Sequence, residues 1–542
     1  MFEPRVFLRQ CIFGLLCALM ANASAQLEIM NQWSFLKFNV PFNYPARNYL
    51  PENTVFTGLE VGWDRIFLST PRLWPGNPAT VSWIPRNSFE NSGEMSPPLQ
   101  AYPSWDWHRA ATTNTVSSTK ENCTNIVSVF RIRLDKCDRL WILDSGVMDS
   151  LMTFTVVCPP KLLIFDSRTD QLIRIVTFPP EILRRNSLLT NMVIDDNTRS
   201  EYGVSDCDNV FVYMTDSTNP ALIVYDARKD SAWRISSPLM FPDPDFGTYR
   251  VAGESFTLMD GIIGIALSAP ILPHKQLYFQ PFASNRIFTI PTSVLKAGPN
   301  PGDDGELPVS LVGHKSSQAA PLAVEPRDGA LIFSPISETA IATWIPGSSD
   351  HGVLAYDPEL LQFPLDIRVT ERDNGNIWLI TTKFQKFFRK TVNSQDFNLR
   401  ILRIKRPVEP LYGHNNTCNN LIMLDINVAI ISMTRPVAEE KSTDNVKSVV
   451  CPNTTLFRSE IQYEEVTTQN STQSTEEFWK AVFLLSATLN IIPSALFTIW
   501  GSARLQPWNQ GPKYYRNKIA SQEKHAEQLN QLTYHDKSDL VK

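Results

Sequence analysis

The hydrophobic and polar residues between positions 127 and 146 form a pattern that returns along most of the chain. Residues 127–134 largely alternate apolar side chains with Ser and Arg, residues 135–138 are mostly polar, and residues 140–143 form an apolar run. A period of two is typical of a half-buried strand, and polar residues between two such runs indicate a turn. We therefore predict a β-hairpin here, which is too small to be stable by itself.

The same unit recurs as a polar turn followed by an apolar or aromatic strand that ends in small polar residues. The further copies cover residues 58–72, 192–216, 261–284, 320–337 and 365–384, and a second hairpin follows some of them, as at residues 162–175 and 221–235. A four-strand unit that returns roughly every 45 to 75 residues is typical of a propeller blade. We predict an all-β fold, a six-bladed β-propeller of four-stranded antiparallel blades. A large β-sandwich or two separate β domains would also contain many short strands, but neither requires one unit to return six times.

The N-terminal residues predict entry into the secretory pathway. Arg5 and Arg9 precede a short apolar run at residues 11–21, and a small-residue cleavage site follows at residues 23–25. This is the order of a signal peptide, which we assign to residues 1–25. The formal net charge is −5 and the chain has no basic stripe, which argues against a nucleic-acid partner.

We assign residues 26–436 to the propeller, with a strand within residues 26–53 that helps to close the ring. Residues 437–477 are polar and poor in aromatic side chains, which predicts a disordered stalk. Residues 481–503 carry no charge and are long enough to cross a bilayer, although Asn490 and Pro493 interrupt them. A basic, polar tail at residues 504–542 follows, which is the charge order of a single-pass type I protein. The alternative is a secreted protein whose hydrophobic C-terminal helix docks on the domain. The polar tail argues against a glycolipid anchor.

Six cysteines remain once residues 1–25 are removed, and an even number in an oxidising compartment predicts disulfides. A metal site is the alternative, but no Cys-x-x-Cys spacing is present. Six cysteines allow fifteen pairings; we expect Cys418 to pair with Cys451 and the other four to link the first blades. The cysteines are Cys123, Cys137, Cys158, Cys207, Cys418 and Cys451. Glycosylation sequons lie at Asn122, Asn415, Asn453 and Asn470.

Several stretches resemble the Yellow and major royal jelly protein family of insects. They include RIRLDKCDRLWILDSG at residues 131–146, CPPKLLIFDSRTDQLIRI at residues 158–175 and NGNIWLITTKF at residues 374–384. The resemblance covers residues 32–418 in the same order and includes the cysteines at positions 123, 137, 158 and 207. It implies a secreted six-bladed propeller with a role in cuticle or eggshell pigmentation, hardening or small-molecule transport.

The resemblance also implies chemistry at the strand ends. Amine-binding salivary relatives place an amide and an aromatic ring where this chain has Thr382 and Phe384, so the ring is kept and the amide is not. A hydroxyl of those relatives falls on Leu365, beside Asp366. Some family members convert dopachrome, a tautomerisation that needs a base and an oxyanion donor.

No self-contained catalytic motif is present in the sequence, and no cofactor or metal is predicted. The candidate bases are Asp144, Asp216 and Asp366, whose more ordinary role is turn capping. An axial pocket would involve Thr70, Phe282, Thr382, Phe384 and Asp366. The first hypothesis is a binding protein for a catechol, indole, amine or lipid-like molecule. The second is a dopachrome-converting isomerase, and the third, a calcium-dependent propeller hydrolase, would need a larger carboxylate cluster.

Overall fold

A computed structural model of the chain describes residues 27–42, 44, 49–88, 93–111, 123–196, 206–272, 274–299, 307–349 and 351–405. Within these residues, six four-stranded antiparallel sheets are arranged as the blades of a propeller. One strand from each sheet lies beside the corresponding strands of its two neighbours, so that six strands form a closed inner ring. The prediction of a six-bladed propeller is therefore confirmed.

The first strand, β1 (Leu27–Trp33), belongs to the last blade, and the blades otherwise follow the order of the chain. Blade 1 contains β2 (Gly58–Val61), β3 (Arg65–Ser69), β4 (Val81–Pro85) and β5 (Gln100–Ala101). Blade 2 contains β6 (Val129–Leu134), β7 (Arg139–Asp144), β10 (Lys161–Asp166) and β11 (Leu172–Thr177), with the small hairpin β8 (Val147–Met148) and β9 (Thr155–Val156) inserted. Blade 3 contains β12 (Leu189–Asp196), β13 (Val210–Asp216), β14 (Ala221–Asp226) and β15 (Ser231–Ile235).

A second small hairpin, β16 (Thr248–Val251) and β17 (Glu254–Thr257), precedes blade 4. Blade 4 contains β18 (Ile262–Leu267), β19 (Gln276–Pro281), β20 (Arg286–Pro291) and β21 (Ser310–His314). Blade 5 contains β22 (Leu322–Val324), β23 (Leu331–Phe333), β24 (Ala340–Trp344) and β25 (His351–Tyr356). Blade 6 contains β26 (Phe363–Thr370), β27 (Asn376–Thr382), β28 (Leu399–Ile404) and β1.

Helices are short and lie between strands. The α-helices are α1 (Thr292–Lys296) and α2 (Phe384–Phe388). The 3-10 helices are Pro51–Asn53, Trp105–Ala111, Pro180–Ile182, Pro238–Met240, Pro244–Phe246, Ile336–Glu338 and Glu371–Asp373. No helix of the described residues is long and apolar enough to cross a bilayer. The predicted segments at residues 1–25, 437–477, 481–503 and 504–542 lie outside the described residues.

The N-terminal strand closes the ring. β1 is antiparallel to β28, with Leu27 opposite Ile404 and Trp33 opposite Leu399. Blade 6 therefore combines one strand from the beginning of the propeller with three from its end, which is the closing strand expected within residues 26–53. Such pairing covers the edge that an unclosed sheet would expose.

The hairpin that recurs in the sequence is held by an Asp–Trp hydrogen bond in two blades. The indole Nε1 of Trp141 in β7 donates to Asp135 Oδ2 at 2.8 Å, and that of Trp378 in β27 donates to Asp373 at 2.7 Å. Both carboxylates lie in the turn that precedes the strand, so each bond fixes the polar turn against the buried aromatic strand. Both tryptophans lie in the second strand of their blade.

Apolar side chains fill the spaces between neighbouring blades. Each of the six blade interfaces has its own buried cluster; the one between blades 2 and 3, for example, joins Trp141 and Ile164 to Met192 and Val212. A blade is apolar on both faces and polar in its turns, which explains why the sequence shows apolar runs rather than strict alternation in the second strands.

Two disulfides are present in the described residues. Cys137, in the β6–β7 turn, pairs with Cys207, in the β12–β13 connection, and so links blade 2 to blade 3. Cys123 pairs with Cys158 across the two segments that lead into β6 and β10 of blade 2. The expected link between the first blades is thus present, whereas Cys418 and Cys451 lie outside the described residues.

Replacing both Cys137 and Cys207 with Ala should lower the free energy of unfolding by about 2 to 5 kcal/mol, because the denatured chain regains freedom. The matched control replaces Cys123 and Cys158. The Cys137–Cys207 bond spans 70 residues and the Cys123–Cys158 bond spans 35. Because each doubling of loop length adds about 0.6 kcal/mol to the entropic cost of closing the loop, removing the longer link should cost about 0.6 kcal/mol more stability. Denaturant unfolding without reductant measures both values; an equal or smaller loss for the inter-blade pair would contradict this expectation.

Candidate functional site

Four of the six innermost strands begin with a β-bulge, and the extra residues meet at one place. The register shifts near the start of β6, β12, β18 and β26, which leaves Phe130, Thr190, Ile263 and Leu365 without a direct partner on the neighbouring strand. All four line one cavity at the end of the axial channel where the innermost strands begin. Bulges often redirect a side chain beside a functional site, and here they turn four residues toward the axis.

This axial cavity has a volume of about 140 Å³ and walls that are mainly apolar. Its cover comes from elements outside the regular blades. The β8–β9 hairpin contributes Leu151 and Phe154, the segment after β17 contributes Leu258 and Asp260, and α2 contributes Phe384. An engineered apolar cavity of about 150 Å³ holds one benzene molecule, so this space is on the scale of one small aromatic molecule.

Aromatic side chains are concentrated around the cavity. Phe282 and Phe384 line it, and each continues into a larger buried cluster. The Phe384 ring centroid lies 5.1 Å from that of Phe363, and the Phe282 centroid lies 4.7 Å from that of Tyr249. Tyr249 in turn stacks on Phe256 at 5.0 Å. This packing fixes the orientation of the two lining rings before any ligand arrives.

Asp260 brings a carboxylate to the wall of the cavity. Its side chain keeps partial accessibility, which we assign to the cavity because protein atoms surround it on the other sides. No hydrogen bond or ion pair of the described residues involves its carboxylate. Burial alone raises the pKa of Asp260 to about 6. A carboxylate with such a pKa can both accept and donate a proton near neutral pH.

A buried cluster of charged and polar side chains, which we call the axial plug, forms the floor of the cavity. Asp366 Oδ2 lies 2.9 Å from Arg131 Nη1 and 3.0 Å from Arg133 Nη1, and it accepts the Leu59 backbone N–H at 3.1 Å. Arg133 also donates to the Asn191 side-chain oxygen at 3.1 Å. Arg131 lines the cavity, so one face of the plug meets the ligand space.

The charges of the plug determine which protonation states are stable there. Burial would raise the pKa of Asp366, but Arg131, Arg133 and Arg368 outweigh burial and hold it below the ordinary value. Burial raises the pKa of Glu60, although Arg368 Nε lies 2.8 Å from its carboxylate. Asp366 is therefore ionised at neutral pH and is committed to its arginines rather than free to act as a base.

Beyond the plug, the channel widens into an open funnel of about 700 Å³ at the other end of the innermost strands. Its lining mixes charged and apolar side chains, and several of the charged ones are paired, such as Arg372 with Asp138 at 2.8 Å. Trp63 stands at its edge with 63% of its surface exposed. The two ends of the channel thus differ: one is small, covered and mainly apolar, and the other is large, open and lined by both charged and apolar side chains.

The carboxylates of Asp144 and Asp216 bind backbone N–H groups and do not line the axial cavity. Asp144 ends β7 and accepts the N–H groups of Val127 and Ser128, both at 2.8 Å, while Lys161 Nζ lies 2.7 Å away. Asp216 ends β13 and holds the segment before β12 in the same way, with Arg234 as its ion-pair partner at 3.0 Å. Neither carboxylate lines the axial cavity. Asp144, Asp216 and Asp366 thus have separate sets of partners and do not converge on one centre.

Of the other residues predicted from the sequence, some line the axial cavity and some do not. Phe282 and Phe384 line the axial cavity, whereas Thr70 donates to the Ala79 carbonyl at 2.8 Å and Thr382 faces a separate small crevice. No group of three or more His, Cys, Asp or Glu side chains in the described part of the chain is arranged to hold a metal. The sequons at residues 122, 415, 453 and 470 fall outside that part.

Sequence reasoning missed Asp260 and the plug arginines. Asp260 lies in the stretch TLMDGIIG, where one charge among apolar residues directly precedes an inner strand. That contrast is a usable signal, but the Asp-Gly pair also fits an ordinary turn.

Comparisons with known proteins identify the family of this chain. A family model described as "Major royal jelly protein" matches residues 127–409. The chain belongs to the major royal jelly protein family. The "Dopaminechrome tautomerase" of Drosophila melanogaster is 27% identical over 418 residues, which are 73% of this chain and 85% of that protein. "Protein yellow" of Drosophila yakuba is 31% identical over 394 residues, 70% of this chain and 69% of that protein.

Solved structures are more distant from this family member. A luciferin-regenerating enzyme aligns with 71% of this chain and 96% of its own, with a TM-score of 0.39 and 9% identity. A likeness of this size carries no argument about function.

In this major royal jelly protein family member, Asp366→Asn should lower the free energy of unfolding at pH 7 by about 3 to 5 kcal/mol, because it removes the carboxylate that two buried arginines share. The pKa of Asp366 is depressed in the folded state, so its contribution is present above the unfolded pKa near 4 and is lost as pH falls through the folded value. Denaturant unfolding from pH 7 to pH 3 measures the difference, with the exposed Asp245→Asn as control. A loss below about 1 kcal/mol would show that the plug is not structurally required.

Asp260→Asn should have the opposite effect. The pKa of Asp260 is raised in the folded state, so the stability of the wild type decreases as pH rises from about 4 to about 6 and stays reduced above. The variant lacks this cost and should be more stable by about 1 to 3 kcal/mol at pH 7, with little difference at pH 4. Thermal or denaturant unfolding at both values tests this; a variant that is less stable at pH 7 would mean that the carboxylate has a partner.

Proposed function

We propose that this protein is a secreted, Yellow-type propeller that binds one small aromatic molecule in the axial cavity. The observation that carries the proposal is the combination of a cavity of about 140 Å³, fixed aromatic walls and one carboxylate that has no partner among the described residues. Apolar walls with a few polar groups are typical of small-molecule sites. Catechols and indoles fit this description in size and character, whereas a lipid-like chain needs more room.

Secretion is part of the proposal. Its support is the signal-peptide pattern of residues 1–25 together with two disulfides, which persist in oxidising compartments. A role in pigmentation or hardening of cuticle or eggshell, which the resemblance of the sequence to the Yellow family implies, is also part of the proposal.

An isomerase of melanin chemistry is the second candidate. The relative named dopaminechrome tautomerase is similar over most of its length, which favours related chemistry here. Ser150, which lines the axial cavity with a hydroxyl that has no hydrogen-bond partner, is available as a donor to a developing oxyanion.

The full-length protein purified from the medium of secreting cells tests the proposal by calorimetric titration with catechol, indole and their amine derivatives. We expect one site per chain. Phe384→Leu removes a lining ring while keeping an apolar side chain, and should weaken binding by about 0.5 to 2 kcal/mol.

The matched control is Phe241→Leu, which changes an exposed ring outside the cavity and should bind as the wild type does. Circular dichroism confirms that both variants are folded. The absence of binding by the wild type for all of these compounds would refute the proposal, and equal affinity of the Phe384 variant would place the ligand elsewhere.

A further inference from the structure

The backbone of Asp260 is held firmly at the entry to β18. The Asp260 carbonyl accepts the Ala283 N–H at 3.1 Å, and the next residue, Gly261, donates to the Ser217 carbonyl at 2.9 Å. A Cβ on Gly261 would lie 2.4 Å from Pro220 and 2.8 Å from the Met240 carbonyl, so only glycine fits there. Two neighbouring segments therefore fix the position from which the carboxylate reaches the cavity wall.

The carboxylate of Asp260 has no counter-charge in these surroundings. Among the described residues that line the axial cavity, the other charged side chain is Arg131, which is committed to Asp366 and to backbone carbonyls. The hydroxyl of Tyr249 is buried without a hydrogen-bond partner, and the charge of Asp260 is close enough to raise the pKa of that tyrosine. No group of the described residues neutralises Asp260.

Three other buried aspartates of this fold are paired. Asp144, Asp216 and Asp366 each hold a backbone N–H and a basic side chain. The carboxylate of Asp260 binds neither a backbone N–H nor a basic side chain of the described residues, although it lies in an apolar wall where an unpaired charge is costly. A group kept in such a position is a candidate for chemistry rather than for folding.

We propose that Asp260 is a catalytic residue that transfers a proton within a bound, oxidised catechol derivative, from a ring carbon to a quinone oxygen. This inference rests on the proposed function, because it requires an aromatic-derived ligand in the axial cavity. The substrate class is a cyclic quinone imine that carries a C–H bond in conjugation with its carbonyl.

The step balances as an isomerisation. The carboxylate takes the proton from the carbon, the electron pair of that C–H bond forms a new ring C=C bond, and the conjugated carbonyl becomes an alkoxide-like oxygen. That oxygen then receives a proton from the carboxylic acid, which regenerates the carboxylate. No oxidant, reductant or cofactor is consumed. This first transfer leaves a quinone-methide tautomer, and a second proton, from the neighbouring ring carbon to the remaining carbonyl oxygen, gives the aromatic dihydroxy isomer.

The acidity of Asp260 suits this role. Because burial raises its pKa to about 6, it is a stronger base than an ordinary carboxylate and is still mostly ionised at pH 7. The rate should therefore rise with pH and level off above about pH 6. An aspartate with its usual pKa near 4 would give no change in rate between pH 5 and pH 7.

The experiment uses the full-length protein with dopaminechrome as the reacting probe and indole as a non-reacting probe. The wild type should accelerate the disappearance of dopaminechrome over a heat-treated sample. Asp260→Asn should reduce kcat by about 10² to 10⁴-fold, the usual contribution of a general base, while the affinity for indole changes less than about 3-fold. Asp260→Glu should restore part of the rate, and Asp245→Asn, an exposed carboxylate near it in sequence, should behave as the wild type does.

The outcomes separate the two proposals. If the wild type binds indole but does not accelerate dopaminechrome isomerisation, or if Asp260→Asn retains the wild-type rate, the catalytic role is refuted and the binding function stands. If the wild type binds neither probe, the proposed function itself fails. A loss of rate accompanied by an equal loss of indole affinity would assign Asp260 to ligand binding and overturn its role as a base.

Discussion

The ion pairs between Asp366 and the two arginines of β6 are the constraint around which the propeller is built. Asp366 comes from blade 6 and Arg131 and Arg133 from blade 2, while Leu59 of blade 1 and Asn191 of blade 3 complete the set of partners. A buried ion pair adds little net stability, because desolvation offsets the attraction, but an incomplete one is costly. The plug is therefore satisfied only when the blades meet in one register, and ring closure by β1 and formation of the plug depend on each other.

The plug also explains why the two ends of the channel can have different chemistry. It lies between a covered, mainly apolar cavity and an open funnel that also carries many charged side chains. The bulged residues stand directly before the plug residues in sequence, since Phe130 precedes Arg131 and Leu365 precedes Asp366. One extra residue in an inner strand thus sends one side chain to the ligand space and the next into the plug. The cover comes from two hairpins and one helix that the blades themselves do not need, which is typical of function placed on a rigid scaffold.

The sequence predicted the architecture well because the signals for it are local. The bond from Trp141 to Asp135 spans six residues and that from Trp378 to Asp373 five, so each hairpin carries its own evidence. The plug is different, because Arg133 and Asp366 are separated by 233 residues and neither segment contains a local pattern that predicts its contact with the other. Only part of the site could be predicted from the sequence, for the same reason. Phe384 and Phe282 were found as aromatic residues after strands, whereas Asp144 and Asp216 looked like candidate bases because sequence does not distinguish a carboxylate that holds backbone from one that does not.

Asp260 shows what that distinction means physically. Asp195, another buried carboxylate, has Lys275 and Lys296 within 2.7 Å, and these bonds lower its pKa despite burial. Asp260 lacks such partners, and burial raises its pKa instead. The surroundings that make it costly to the fold are the ones that make it a better base, because apolar walls exclude the water that would stabilise the charge. A fold held by an axial plug and two disulfides can tolerate that cost at one position, and this position lies where a ring-sized ligand would meet it.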